Sequence, residues 1–285
     1  MTIKAKLEPG KVALVSGGSS GIGLSIACAL ASRGMDVWMV ARRQDVLETA
    51  REKVETQRKS EKQIIAIISA DVTDLSQVRL AVDQVLDKSG SIDILVNAAG
   101  VAHPGYVQEL EVKIFNWMME VNYFGTVYMT KAVLPPMIKR NSGYIVNISS
   151  IAGFIGVFGY TAYGASKFAV KGFSDALRAE MKLHGIGVSI IFPSDTDTPQ
   201  LEYENRFKPP ETKAISGNTK TMTPDEVARD TLKGIERGKY LILPGLEGKL
   251  LYRLNGILGG AVFMILDQIV AGANGKLKSS HQKEG

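Results

Sequence analysis

Cysteine is almost missing from this chain: Cys28 is the only one among 285 residues. An internal disulfide is therefore impossible, which agrees with a reducing compartment. Cys28 lies between Ala27 and Ala29 in an apolar helical stretch, a place for a small buried side chain. Histidine is nearly as scarce. Three scattered residues and one cysteine give no metal-ligand spacing. Long hydrophobic runs are lacking too. Val12 to Val15 is too short for a signal peptide. The longest late run, Gly256 to Leu266, stops at Asp267, well short of the ~20 residues that span a bilayer. No basic stripe is interleaved with aromatics. The net charge of +5 is spread through mixed-sign runs such as Arg51-Glu52-Lys53, which read as solvated helix faces. No nucleic-acid partner is expected.

What is present is an alternation. Seven short apolar runs read as strands: 12–15, 37–40, 64–68, 92–96, 144–148, 188–192 and 240–243. Helical stretches separate them, at 24–31, 44–59, 75–88, 111–138 (two segments joined near Asn122), 163–178 and from Thr223-Pro224 onward. In the last, Thr is the N-cap and Pro the first helical residue. This pattern predicts an α/β fold: one doubly wound, Rossmann-type domain with a parallel sheet of about seven strands and helices on both faces. Such sheets bind ligands at the carboxyl ends of their strands. Gly17, Arg42, Asp71, Asn97, Ser150 and Pro193 all follow strand ends, so they are expected to line one crevice.

Between the first strand and the first helix lies Ser16-Gly17-Gly18-Ser19-Ser20-Gly21-Ile22-Gly23. Strand, glycine-rich turn and helix make a dinucleotide entrance: glycines admit the pyrophosphate, and the helix N-terminus offers free N–H groups. The spacing is Gly-x-x-x-Gly-x-Gly rather than G-x-G-x-x-G. An NAD-binding site would place an acid at the end of the second strand, but the chain reads Ala41-Arg42-Arg43, and Asp36 sits at the wrong end. Guanidinium groups there suit a 2′-phosphate, which favours NADPH over NADH. The alternative is that both arginines merely begin the next charged helix. Asn97-Ala98-Ala99-Gly100 is small enough to pass close to a cofactor.

Tyr163 and Lys167 are four residues apart on a helical stretch and so share a face. A nearby ammonium favours the phenolate, so the lysine is expected to lower the phenol pKa towards acid–base work. Alone the pair is common on any helix. Its partners give it meaning.

Together these residues resemble the classical short-chain dehydrogenase/reductase family, over roughly residues 10 to 245. The resemblance implies that Asn122, Ser150, Tyr163 and Lys167 form the catalytic four. Ser150 stands thirteen residues before Tyr163, with Ser149 the neighbour that could be mistaken for it. The implied cofactor set is Gly17, Ser19, Ser20, Gly21, Ile22, Gly23, Arg42, Arg43, Asp71, Val72, Asn97, Ala98, Gly100, Tyr163, Lys167, Pro193, Thr196 and Thr198. Two departures stand out: Ser16 replaces the usual Thr, and Ser194 stands where Gly is common. By resemblance, Tyr163 protonates a carbonyl oxygen as hydride arrives from the nicotinamide, and Ser150 positions that oxygen. Lys167 tunes the phenol and holds the nicotinamide ribose, and Asn122 orders a proton-resupplying water chain. A homodimer or homotetramer is also implied.

Residues 193–222 read as a long loop, a lid over the substrate. Its Pro193-Ser194-Asp195-Thr196-Asp197-Thr198-Pro199 and Glu204-Asn205-Arg206 resemble the 3-ketodihydrosphingosine reductase subfamily, which would make the substrate a long-chain amino ketone. In that subfamily Pro is expected at Ser194. Asp195 or Asp197 would pair with the substrate ammonium, or else cap the loop through Asx-turns. Residues 1–245 then form the catalytic domain, and 246–285 an apolar helix with a polar, frayed tail. On residues 249–273, Leu250, Leu251, Leu254, Leu258, Val262, Ile265 and Ile269 fall on one stripe beside Lys249 and Arg253. An interfacial membrane helix looks like this, and so does a core or subunit-contact helix. The expected location is the cytoplasm, with membrane association if the helix is interfacial. Other carbonyl substrates, 3-oxoacyl, steroid or small ketone, remain open, as does a non-catalytic NADP-sensing regulator on the same fold.

Overall fold

The computed structural model describes residues 2–216 and 221–284. Seven strands form one parallel sheet: β1 (Val12–Ser16), β2 (Asp36–Ala41), β3 (Ile65–Ser69), β4 (Ile94–Asn97), β5 (Gly143–Ile148), β6 (Ile186–Ile191) and β7 (Leu241–Ile242). Their order is β3-β2-β1-β4-β5-β6-β7. The chain reverses direction of travel beside β1, where it leaves β3 to enter β4 on the other side. That switch point is where open α/β sheets bind ligands.

Side chains alternate across β1. Ala13 and Val15 join a core with Ile26 and Leu30, Leu47, and Leu232 and Ile235. These come from helices α1 (Gly21–Ala31), α2 (Gln44–Glu55) and α9 (Pro224–Glu236). Val12 and Leu14 face the opposite core, built on α3 (Leu75–Ser89), α5 (Gly125–Arg140) and α6 (Thr161–Met181). Both faces are thus covered, which is why the strands read as continuous apolar runs rather than alternating ones. β3 is the exception: as an edge strand it is mostly half-buried, not fully buried as its composition suggests. Cys28 is half-buried against the first core, and burial raises its thiol pKa.

The expected helical stretch through Asn122 is indeed two helices, α4 (Val112–Met118) and α5, and a π-helical turn, Met119–Phe124, joins them. Such turns insert a residue and re-aim side chains, often beside functional sites. The Thr223 cap is a full capping box: the Thr223 hydroxyl accepts from the Glu226 N–H, and the Glu226 carboxylate accepts from the Thr223 N–H.

Two segments differ from expectation. The lid is not an open loop: it contains α7 (Pro199–Phe207) and α8 (Pro210–Ser216). Thr198 caps α7 by accepting from the Leu201 N–H, with Pro199 at the first position. Residues 217–220 of the expected lid lie outside the described residues. Backbone bonds between Asp197 and Met222, and between Met222 and Asp195, tie the two ends of the lid together. The second segment, 249–273, is not one helix. It breaks at Gly259 (φ +52°) into α10 (Glu247–Leu258) and α11 (Ala261–Glu284). Consequently the apolar stripe divides. Leu251, Leu258 and Val262 pack with Phe154, Ile190 and Phe192, while Leu250, Leu254, Ile265 and Ile269 face outward. The helical backbone continues to Glu284, where a frayed tail was expected.

Candidate active site

A cleft of about 690 Å³ opens at the carboxyl ends of the strands. Its floor is the turn from β1 into α1. Gly17 holds φ +70° and Gly21 φ +53°, conformations that favour glycine. A Cβ on Gly17 would lie 2.5 Å from the Ala99 nitrogen, and one on Gly23 only 2.2 Å from the Gly17 oxygen, so both positions must stay bare for the loop to close. Ser19, Ser20, Gly21 and Ile22 line the cleft at the N-terminus of α1, whose first turn holds no acidic residue. Ser20, the N-cap, makes no side-chain bond to the helix. An unneutralised helix N-terminus approached by bare backbone fits a pyrophosphate.

Arg42 and Arg43 stand exposed at one end of the cleft, with Asp71 and Val72 beside them. The Arg42 guanidinium is 3.9 Å from the Asp71 carboxylate. Asp36, the acid at the other end of β2, is occupied in accepting the Ile64 N–H at 2.8 Å. Ala98 and Gly100 form the wall after β4, and Pro193, Thr196 and Thr198 the wall after β6.

Asn97 does not belong with them. It is buried in the sheet rather than lining the cleft. Its amide donates to Asn147 Oδ1 at 2.8 Å and to Thr130 Oγ1 at 3.1 Å, and Asn147 in turn donates to Ser174 Oγ. The chain of bonds ties β4 to β5, α5 and α6. Its work is to hold the sheet where the cleft opens, which corrects its placement among cofactor contacts.

Ser150, Tyr163 and Lys167 converge at the other end of the cleft. Ser150 follows β5 and caps a short turn by accepting the Ala152 N–H. Tyr163 and Lys167 project from the buried face of α6, one turn apart. The Tyr163 phenol lies beside the side chains of Ser150 and Gln200, and both favour its ionised form. Lys167 Nζ lies 5.6 Å from the centre of the Tyr163 ring and donates to the Ile148 carbonyl at 3.1 Å. Ser149, the neighbour of Ser150, instead donates to the Lys167 carbonyl and is buried.

Asn122 stands behind the wall, not in the cleft. Its Oδ1 accepts the Val101 N–H at 2.8 Å, and its Nδ2 donates to the Val101 carbonyl and to Ser166 Oγ. The π-helical turn aims it there. It pins the strand-end loop after β4 to α6, so among its side-chain partners in the structure is no group of the reacting trio.

The electrostatics overturn one expectation. The Tyr163 phenol pKa is raised, not lowered. Burial is the main cause, the Glu204 carboxylate adds to it, and the side chains of Ser150 and Gln200 pull the other way. Burial also pulls Lys167 down to about 8, opposed by Glu204. The desolvation of both groups outweighs their mutual proximity. Three residues that the sequence did not single out, Tyr160, Gln200 and Tyr203, share this end of the cleft with Glu204, which the sequence marked only as part of a lid motif and not as a site residue. The available signal was the Thr198-Pro199 pair, the same cap-and-proline pattern as Thr223-Pro224. It announces a helix on which Gln200 and Glu204 share a face.

Among the described residues, no group of three or more His, Cys, Asp or Glu side chains could hold a metal. No helix among them is long and apolar enough to cross a membrane.

Residues 11–208 match the family model described as short chain dehydrogenase. A 3-ketodihydrosphingosine reductase of Bos taurus is 41% identical over 247 residues, covering 86% of this chain and 74% of the relative. A 3-dehydrosphinganine reductase of Danio rerio is 44% identical over 242 residues, covering 85% and 73%. The solved structure of levodione reductase superposes with a TM-score of 0.78 at 24% identity, over 85% of this chain and 98% of that one, a likeness of fold. The protein is an oxidoreductase with a nicotinamide dinucleotide as cofactor. The glycine-rich turn, the strand order and the matched length place the chain in the short chain dehydrogenase family.

Proposed function

We propose that this protein reduces the keto group of 3-ketodihydrosphingosine, a long-chain 2-amino ketone, with NADPH. The observation that carries the reading is the meeting of Tyr163, Ser150 and Lys167 in a cleft whose far end is floored by the glycine turn. The names of the relatives point to the carbonyl. When bound, the nicotinamide supplies a hydride to the carbonyl carbon and is oxidised. The chain's own residues handle the oxygen. With its pKa raised, Tyr163 holds its proton at neutral pH and delivers it to the carbonyl oxygen as negative charge builds there. Ser150 hydrogen-bonds the same oxygen and fixes its position. Lys167 brings a positive charge beneath the phenol and offsets the phenolate that proton transfer leaves. Asn122 acts at one remove, by fixing the Val101 loop against α6.

The 2′-phosphate of NADPH is assigned to Arg42 and Arg43. The absence of an acid at the end of β2 supports this choice. The acyl chain is assigned to the wall made by Trp117, Val121, Ile215 and Leu251. Leu251 belongs to α10, whose outward side exposes Leu250, Leu254 and Ile257 beside Lys249 and Arg253, with exposed Leu246 just before it. A lipid substrate does not diffuse freely in water. We assign that outward face to a membrane surface, from which the chain enters along α10. The homodimer or homotetramer stays a family expectation, to be measured by sedimentation.

NADPH consumption tests the reading directly. Ketodihydrosphingosine should be turned over in preference to acetoacetyl thioesters and simple ketones. Tyr163→Phe should lose turnover by about 100-fold or more while NADPH binding persists. Preference for the thioester, or full turnover by the variant, would reject substrate and mechanism respectively.

A further inference from the structure

Glu204 is the least explained group in the cleft. It sits on α7, is 7% exposed, and faces the reacting trio. One carboxylate oxygen accepts from the Tyr160 hydroxyl at 2.6 Å, and the other from Gln200 Nε2 at 2.8 Å. Both donors are neutral, and each oxygen keeps a lone pair to offer. Among the described residues no cation is within ion-pair distance of it. The nearby Lys208 ammonium is engaged with Asp195 at 3.3 Å. A buried carboxylate without a directly paired cation is costly: Lys208 and Lys167 act on this one only from beyond ion-pair distance, and it also opposes the negative charge that Tyr163 must carry. Glu204 as it stands hinders a neutral ketone. A substrate that brings its own cation removes both difficulties at once.

We propose that Glu204, held by Tyr160 and Gln200, is the subsite for an ammonium on the carbon next to the reacting carbonyl. The site selects 2-amino ketones over neutral ones. The inference rests on the proposed reduction of an amino ketone and deepens it. It also reassigns the cation partner. Asp197 is exposed and off the cleft, and Asp195 has Lys208, so neither of the two acids nearest β6 is the main contact. A bound ammonium neutralises Glu204, and the charge next to Tyr163 changes from one that resists the phenolate to one that tolerates it. Recognition and rate are thereby joined in one residue.

The discriminating experiment compares kcat/KM for a long-chain 2-amino-3-ketone and for the same 3-ketone without the amine. Wild type should prefer the amine. In Glu204→Gln, an isosteric change that keeps a polar group for Tyr160, kcat/KM for the amino ketone should fall about 30-fold or more, mainly through KM. For the neutral ketone it should rise, because an anion beside the forming phenolate has gone. A merely structural role would lower both. Asp197→Asn should leave the preference as it is. Wild type alone supplies a second readout, independent of whether the variant folds. Burial raises the Glu204 carboxyl pKa, so the preference for the amine should decline as pH falls through that raised value. Tyr160, Tyr163 and Lys167, which face Glu204, stay protonated over that acidic range; Asp195 and Lys208 complete the charged surroundings. A wild type inert towards the amino ketone would overturn the proposed reaction and the subsite with it. A wild type that reduces it, with the preference intact in Glu204→Gln and flat with acidic pH, would overturn the subsite alone.

Discussion

Replacing Lys167 by Met should make the protein more stable and nearly inactive, and the size of the gain can be worked out. The ammonium is buried, and its pKa falls from 10.5 to about 8. At about 1.4 kcal/mol per pH unit, keeping it protonated inside the fold costs roughly 3 kcal/mol. Methionine has similar length and no charge, so it removes that cost. The loss is the bond from Nζ to the Ile148 carbonyl, worth about 1 kcal/mol. The net gain is then about 2 kcal/mol, or a rise of about 4–8 °C in Tm for a chain of this size.

The pH dependence identifies the cause. Below pH 8 the lysine is protonated in both folded and unfolded chains, so wild type bears the whole penalty. Between about 8 and 10.5 the folded protein releases the proton while the unfolded chain keeps it, so wild-type stability climbs with pH. The advantage of the variant should therefore be largest below pH 8 and should vanish towards 10.5. Urea unfolding of both proteins without cofactor, at pH 7 and pH 9.5, measures it. A variant less stable at pH 7, or an advantage that does not shrink with pH, would refute the claim that desolvation governs this lysine.

Two further outcomes are expected. Arg42→Ala together with Arg43→Ala should raise the Michaelis constant for NADPH by roughly 10- to 100-fold and that for NADH little, since charge-assisted bonds to a 2′-phosphate are lost; equal effects on the two cofactors would remove the assignment. Flotation with anionic liposomes should carry wild type upward and leave Leu250→Ser with Ile257→Ser at the bottom, because both side chains are on the outward face of α10; wild type that stays at the bottom would exclude docking there.

The sheet was legible because of what a parallel sheet does to composition. Strands buried on both faces must be apolar throughout, and the five inner runs stand out for that reason. Which run lies at an edge is not a local property, so Ile65–Ser69 gives no sign in its residues that it has one neighbour only. The C-terminal helix shows a similar limit. Periodicity placed seven side chains on one stripe, but the turn at Gly259 rotates the second half. Packing then decides that Val262 goes inward and Ile265 outward. The lid helices were readable in principle from Thr198-Pro199. The abundance of Pro, Asp and Thr around that pair concealed a nine-residue helix whose stability comes from packing on the cleft.

The chemistry of the site divides along the same line. Residue types and spacing gave Tyr163, Lys167 and Ser150, because a helix turn fixes the first two relative to each other. They misjudged the direction of the phenol's pKa, because spacing reports the neighbour and not the solvent. Two effects compete at Tyr163: an ammonium favours the phenolate, and loss of water opposes it. Both groups are buried, so water is lost to both, and the ammonium that was to acidify the phenol is itself weakened to about 8. The lid also brings in Glu204, an anion that no sequence neighbour of Tyr163 reveals. The consequence bears on the direction of reaction. Reduction needs the phenol protonated at the start, which burial guarantees at neutral pH. Oxidation of the alcohol needs the phenolate, which burial and Glu204 both oppose. A cleft assembled in this way is arranged for reduction, and the arrangement belongs to the folded lid rather than to the Tyr–Lys pair alone.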